Sequence, residues 1–212
     1  TFCKENKVNF IHPFDDPLVI AGQGTVGMEI SEQFPENLYA VFVAVGGGGL
    51  IAGIGAYLNK VHPNVKIIGV EAADSAGLHA SVKAGKRIKL KEVGLFADGA
   101  AAKQIGKNNY ELIKNFLDDS ITVDTDEICA AVKDTFLETR TVPEPTGALA
   151  LAGLKKYIGQ KRIKNKNLIA TYCGSNLNFE SLGHIVERSK IGEKKEIILS
   201  IAIDEKKGSF RK

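Results

Sequence analysis

Apolar residues fall along this chain in two kinds of run. Val41-Phe-Val-Ala-Val45 is five apolar, mostly β-branched residues in succession, which suits a strand covered on both faces, as in a parallel sheet. Leu50-Ile-Ala-Gly-Ile-Gly-Ala-Tyr-Leu58 carries apolar residues at helical spacing. Val65-Lys-Ile-Ile-Gly-Val70 reads as a second strand, ending at Glu71, and completes a βαβ unit. Ser75 to Lys83 reads as a helix, Gly94-Leu-Phe-Ala-Asp98-Gly99 as a loop, and Asn109 to Leu117 as a helix. Ile121-Thr-Val123 reads as a short strand, with Asp124 or Thr125 capping a helix through Arg140. A strongly helical run, Leu149 to Tyr157, has Pro145 at a first helical position and Glu144 before it, where a carboxylate meets the positive end of the helix. Asn167 to Tyr172 is another strand.

Toward the N-terminus, Asn9-Phe-Ile-His-Pro13 has the look of a strand. In Gly22-Gln23-Gly24 two glycines permit either the close approach of a ligand or an ordinary loop into the short helical pattern that runs through Met28 and Ile30. Glu196 to Ile203 is a last apolar strand. Alternating strands and helices predict an α/β fold, an open, mostly parallel twisted sheet with helices on both faces.

Between the first strand and its helix stand Gly46, Gly47, Gly48 and Gly49. Without Cβ atoms the backbone there can turn its N–H groups toward an anion, and the helix adds its positive dipole end. A phosphate on a small ligand is the natural guest; a plain glycine turn is the other reading. A second Gly-containing turn, Cys173-Gly174-Ser175-Asn176, follows a later strand, and ligands in open α/β sheets sit beyond such strand ends, so the two turns can line one site. Dinucleotide binding competes: Gly47-x-Gly49-x-x-Ala52 follows a strand, and Glu71 ends the next one where a ribose-binding acid belongs.

Other chemistries drop out. There is no P-loop sequence, and no Cys/His cluster has zinc-ligand spacing, so no metal is expected. His12, His62, His79 and His184 are scattered. A hydrophobic content of 44% and a charged content of 25% over 212 residues are ordinary for a globular protein. The net charge of +3 is too small to call for a nucleic-acid partner, and the basic run Lys161-Arg-Ile-Lys-Asn-Lys166 reads as a solvated loop. No apolar run has the ~20 residues of a membrane span. Three distant cysteines, Cys3, Cys129 and Cys173, speak for a reducing compartment, with the cytoplasm as the expected location. The ends read as cut: the chain opens on Thr1 without Met, and the last strand has no later partner, so a fragment is expected.

The order of motifs narrows the choice. Gly46-Gly-Gly-Gly-Leu50, then Val93-Gly-Leu-Phe-Ala-Asp-Gly99, then Val142-Pro-Glu-Pro-Thr-Gly-Ala-Leu-Ala-Leu-Ala-Gly153, then Cys173-Gly-Ser-Asn176 resembles the biosynthetic threonine dehydratases (threonine ammonia-lyases), pyridoxal-phosphate enzymes of the tryptophan-synthase-β-like class. Pro13 to Thr25 and Glu205-Lys-Lys-Gly-Ser-Phe210 are similar to that family too, the latter to the opening of its ACT-like regulatory domain. The resemblance implies the fold type II large domain of such enzymes over residues 1–192 and the start of the regulatory domain over 193–212. It implies pyridoxal 5'-phosphate as cofactor, with the amides of Gly46, Gly47, Gly48, Gly49 and Leu50 around its phosphate. Cys173 would face the pyridine nitrogen and leave it largely unprotonated, a weaker electron sink than an Asp-partnered ring. Gly174 and Asn176 would shape the same wall, with Asp98, Gly99 and Glu144 near the ring.

The implied reaction takes L-threonine, or L-serine, through loss of water and ammonia; threonine gives 2-oxobutanoate, in isoleucine biosynthesis. The implied partners are a small amino-acid substrate and like chains in a dimer or tetramer. The Schiff-base lysine and the loop that clasps the substrate carboxylate have no match in these 212 residues, so no catalytic residue is expected here and the chain alone is expected to be inactive. A cation site, which relatives build from an acid at Glu71 and another six residues on, meets Gly77 instead. A dehydrogenase half and a non-catalytic phosphate-binding module are the alternatives.

Overall fold

The computed structural model describes residues 2–34, 36–197, 199 and 202. In chain order the elements are α1 (Phe2–Glu5), α2 (Pro17–Gln33), β1 (Leu38–Ala44), α3 (Gly49–Val61), β2 (Lys66–Ala72), α4 (Gly77–Ala84), α5 (Lys107–Ile113), β3 (Leu117–Val123), α6 (Thr125–Thr139), α7 (Pro145–Lys161), β4 (Asn167–Ala170) and α8 (Ser181–Gly192). The four strands form one sheet in the order β3-β2-β1-β4, and every pairing is parallel. The expected open α/β sheet is therefore what forms.

Strand β1 lies inside the sheet and shows why its apolar run is unbroken. Ala40, Phe42 and Ala44 join one core with residues of α6, α7 and α8, whereas Val41 and Val43 join another with residues of α2, α3, α4 and α5. Successive side chains of a strand point to opposite faces, so two covered faces demand apolar residues at every position. Among the described residues no helix is long and apolar enough to cross a membrane.

Caps set where the helices begin. Asp124 accepts the amide of Glu127 at 2.8 Å while Glu127 accepts the amide of Asp124 at 2.9 Å, a capping box that starts α6. Asp16 accepts the amide of Leu18 at 2.8 Å, with Pro17 in the first turn of α2. That cap corrects the reading of Gly22 and Gly24. Both lie inside one continuous helix, and a Cβ on Gly24 would stand 3.4 Å from the carbonyl oxygen of Gly53, so this glycine brings α2 close to α3.

Asn9–Pro13 is not a strand. Phe10 and Ile11 are 70% and 69% exposed, and His12 Nδ1 accepts the amide of Asp15 at 3.1 Å, which turns the chain instead of extending it. The helix expected over 109–117 starts and ends earlier, and Leu117 opens β3. Of the strand expected over 196–203, Glu196 and Ile197 have no regular structure; residues 203–212, with most of the expected regulatory segment, lie outside the described residues.

Candidate functional site

The strand ends of β1 and β4 and the first turns of α3 and α7 enclose a cavity of about 360 Å³. Its wall includes Phe14, Gln23, Gly46, Gly47, Gly48, Gly49, Leu50, Gly99, Ala100, Thr146 and Cys173, so the two glycine-containing turns do meet in one place.

In the glycine loop the carbonyls of Gly47 and Gly48 are spent and the amides are not. Gly47 O accepts the amide of Gly106 at 3.0 Å and Asn109 Nδ2 at 2.8 Å, and Gly48 O accepts the amide of Ala52 at 3.0 Å. The amides of Gly46, Gly47 and Gly48 donate to no described residue. Carbonyl and N–H of a trans peptide point in opposite directions, so tying Gly47 O to Asn109 turns the Gly48 N–H the other way. The amides of Gly49 and Leu50 belong to the first turn of α3, where no intrahelical acceptor exists. Such a set of unpaired donors at a helix N-terminus binds an oxyanion.

The side chains these glycines lack have no room. A Cβ on Gly47 would come within 2.3 Å of the Phe14 ring, and one on Gly46 within 2.8 Å of Ala100 Cα. Gly48 has φ of +91°, in the left-handed region, and faces Ile105. The loop is thus packed against Phe14, Ala100 and Ile105 while its amides stay unspent.

Reading the sequence missed the clamp on this loop. Asn109, fully buried, also donates from Nδ2 to Phe14 O at 2.7 Å, and Asp15 accepts the amides of Lys107 and Asn109 at 2.8 and 3.1 Å. Asp15 and Asn109 are far apart in sequence and carry no local motif; an Asn just inside a short helix after Gly106 is the one visible signal.

On the same cavity Cys173 follows β4, the strand paired with β1. A Cβ on Gly147 would meet Cys173 O at 2.0 Å, so the first turn of α7 packs directly on this turn. Glu144 is the N-cap of α7, yet its side chain caps nothing; its amide donates to Gly174 O at 3.1 Å. Desolvation, and then the charge of Asp98, raise the Glu144 carboxyl above its ordinary value; desolvation, and then Glu144, raise the Cys173 thiol. Asp98 Oδ1 accepts the amide of Gly99 at 2.8 Å. Of the residues expected at the site, Gly46–Gly49, Leu50, Gly99 and Cys173 line the cavity; Asp98, Glu144 and Gly174 stand just behind it, and exposed Asn176 is not on its wall.

Glu71 answers the dinucleotide reading. It is 1% exposed, and its two oxygens accept the amides of Leu78 and His79, each at 2.7 Å. It caps α4 from the preceding strand and, buried there, is closed to a ribose. A larger hollow of about 530 Å³ lies between α6 and α8, but its lining is mostly apolar and its rim cations Lys133 and Lys190 are paired with Glu193 and Glu196, so it offers an anion nothing. Among the described residues no group of three or more His, Cys, Asp or Glu is placed to hold a metal ion.

A parallel open sheet with an anion cradle beyond its strand ends defines an α/β protein built around a phosphate-bearing ligand. Residues 1–174 match the family profile of pyridoxal-phosphate dependent enzymes, and the chain belongs to that family. It is 49% identical over 209 residues to the L-threonine dehydratase biosynthetic IlvA of Burkholderia multivorans, covering 99% of this chain and 41% of that relative. It is 51% identical over 211 residues to the mitochondrial threonine dehydratase of Schizosaccharomyces pombe, covering 98% of this chain and 35% of that relative. The chain thus spans 35–41% of the length of these curated relatives. Among solved structures, the processed form of threonine deaminase isoform 2 from Solanum lycopersicum superposes with a TM-score of 0.88 at 40% identity, over 90% of this chain and 52% of that one.

Proposed function

We propose that this chain is the cofactor-holding part of a threonine dehydratase, which converts L-threonine to 2-oxobutanoate and ammonia. The observation that carries the reading is the glycine loop with its amides unspent, sharing one cavity with Cys173. The residues fit pyridoxal phosphate. The amides of Gly46 to Leu50 would hold the phosphate and Cys173 the pyridine nitrogen, with Gly99 on the same cavity lining and Asp98, Glu144 and Gly174 next to it. When bound, the cofactor supplies the electron sink for charge developing at the substrate Cα.

The Cys173 thiol, kept protonated by desolvation and by Glu144, would hold the nitrogen as a donor without giving it a charge. No lysine lines the cavity among the described residues. The cytoplasm is the proposed location, in keeping with three free cysteines.

The test uses the protein that carries this chain. Formation of 2-oxobutanoate from L-threonine should require added pyridoxal phosphate, and Gly47→Val, which drives a side chain into Phe14, should abolish cofactor uptake. Turnover that persists in a cofactor-free Gly47→Val protein would overturn the reading, as would tight NAD binding lost on Glu71→Ala.

A further inference from the structure

We infer that Thr146 is a further ligand-binding residue, whose hydroxyl takes a polar atom at the ring end of the cofactor; this rests on the reading of the cavity as a pyridoxal-phosphate site. Thr146 lies in the first turn of α7, between the cap Glu144 and the Gly147 that packs on Cys173. It lines the same cavity as Cys173 and Gly99. Its Oγ1 is buried and makes no hydrogen bond with any described residue. A threonine in a first helical turn ordinarily exposes its hydroxyl or turns it onto the backbone. This one does neither, and a buried hydroxyl without a partner is costly to keep.

The local packing holds it in that state. A Cβ on Gly99 would sit 3.0 Å from Thr146 Oγ1, so Gly99 is the residue that leaves the hydroxyl its place. Pro145 has no N–H to give, and Ala148 N donates to Glu144 O at 3.2 Å, so neither neighbour satisfies the hydroxyl. Thr146 precedes Gly147, which packs on the carbonyl of Cys173, the residue proposed at the pyridine nitrogen, whereas the glycine-loop amides are set for the phosphate. The atom the hydroxyl awaits is therefore borne by the ring. Asn109 Oδ1 is also buried without a partner, but Asn109 stands behind the glycine loop and off the cavity wall.

A hydroxyl kept unpaired for a ligand leaves a signature that a structural hydroxyl does not. In the protein carrying this chain, Thr146→Val replaces the hydroxyl by a methyl of similar size. It should raise the melting temperature of the cofactor-free protein by about 2 °C and weaken pyridoxal phosphate binding about tenfold. Thr146→Ser should bind like the parent. Inorganic phosphate, which meets only the glycine loop, should bind parent and Thr146→Val alike.

Unchanged pyridoxal phosphate affinity in Thr146→Val overturns the inference, as does a lowered melting temperature without cofactor. Equal weakening of phosphate and pyridoxal phosphate overturns the placement at the ring end. A parent protein that binds phosphate but shows no preference for pyridoxal phosphate defeats the cofactor reading itself, separately from Thr146.

Discussion

The helices that follow β1 and β2 start at the same edge of one sheet, yet one leaves its first amides unpaired and the other does not. Before α4 the preceding strand sends Glu71 under the helix, and its two oxygens take the amides of Leu78 and His79. Before α3 the strand sends no side chain, only four glycines, of which Gly47 and Gly48 have their carbonyls tied back to Gly106, Asn109 and Ala52. Both helix ends have the same unsatisfied donors and the same dipole. What separates a binding site from a structural joint is whether the protein supplies its own anion. A glycine fingerprint followed by an acid one strand later is compatible with either outcome, because the acid's direction is decided by burial that the spacing does not encode.

The largest effect expected from this contrast is on Glu71. Glu71→Ala removes the internal anion and leaves two buried amides unpaired, which should cost about 4 kcal/mol of stability in denaturant unfolding. Affinity for pyridoxal phosphate should stay within about twofold of the parent, since the two helix ends share no partner. A large loss of cofactor affinity with little loss of stability would reverse the roles assigned to the two ends.

The same carboxylate gives the contrast a pH dependence. Burial pushes Glu71 up to about 7, against the opposing pull of the backbone amides of His79, Leu78 and Gly77. Its folded value thus lies above the unfolded one, and between pH 4.5 and 7 the native state holds a proton that the unfolded chain has lost. Stability from this group is full at the acid end and falls as pH rises, by about 3 kcal/mol across the window. Urea unfolding of the parent and of Glu71→Gln at several pH values checks the sign: the Gln variant should lack this slope, and a parent whose stability rises with pH through the window contradicts it.

What could be read without coordinates was what is local. The five-residue run of β1, the Asp124 cap and the Pro145 start each depend on neighbours a few residues away, and each is where the pattern put it. Asp16-Pro17 is equally local: the cap starts α2 ahead of Gly22 and Gly24, and the helix runs through both glycines. Asn9–Pro13 has β-forming residues, but among the described residues no strand lies beside it, and β-propensity without a partner decides nothing. The clamp on the glycine loop is the non-local part. Asp15 and Phe14 meet Asn109 through the fold alone, and no periodicity marks them.

That clamp carries the next effect in size. Asn109→Ala removes two buried hydrogen bonds, to Gly47 O and Phe14 O, and should cost about 2 kcal/mol. With Gly47 O freed, the peptide can rotate and the Gly48 amide loses its aim, so phosphate and pyridoxal phosphate should both bind about tenfold more weakly. Unchanged affinity in a destabilised Asn109→Ala protein would make the clamp purely structural and the unspent amides self-supporting.

The smallest effect concerns the second glutamate at a helix start. Glu144 sits before α7 where Glu71 would have closed the site, but its side chain caps no amide and its backbone holds Gly174 instead. Its charge therefore acts on Cys173, which together with desolvation keeps the thiol above its ordinary value. Within this chain, a Cys3→Ser change leaves Cys173 as the reactive thiol, because burial pushes the thiol of Cys129 to about 12, and peptide mapping reads its modification separately. Iodoacetamide should modify Cys173 several-fold more slowly at neutral pH than an unperturbed exposed thiol, since only the thiolate reacts. Glu144→Gln removes the neighbouring charge and should move the reactivity midpoint of Cys173 to lower pH. A midpoint that does not move would mean that desolvation alone sets the thiol, and that the two glutamates differ in position but not in what their charges do.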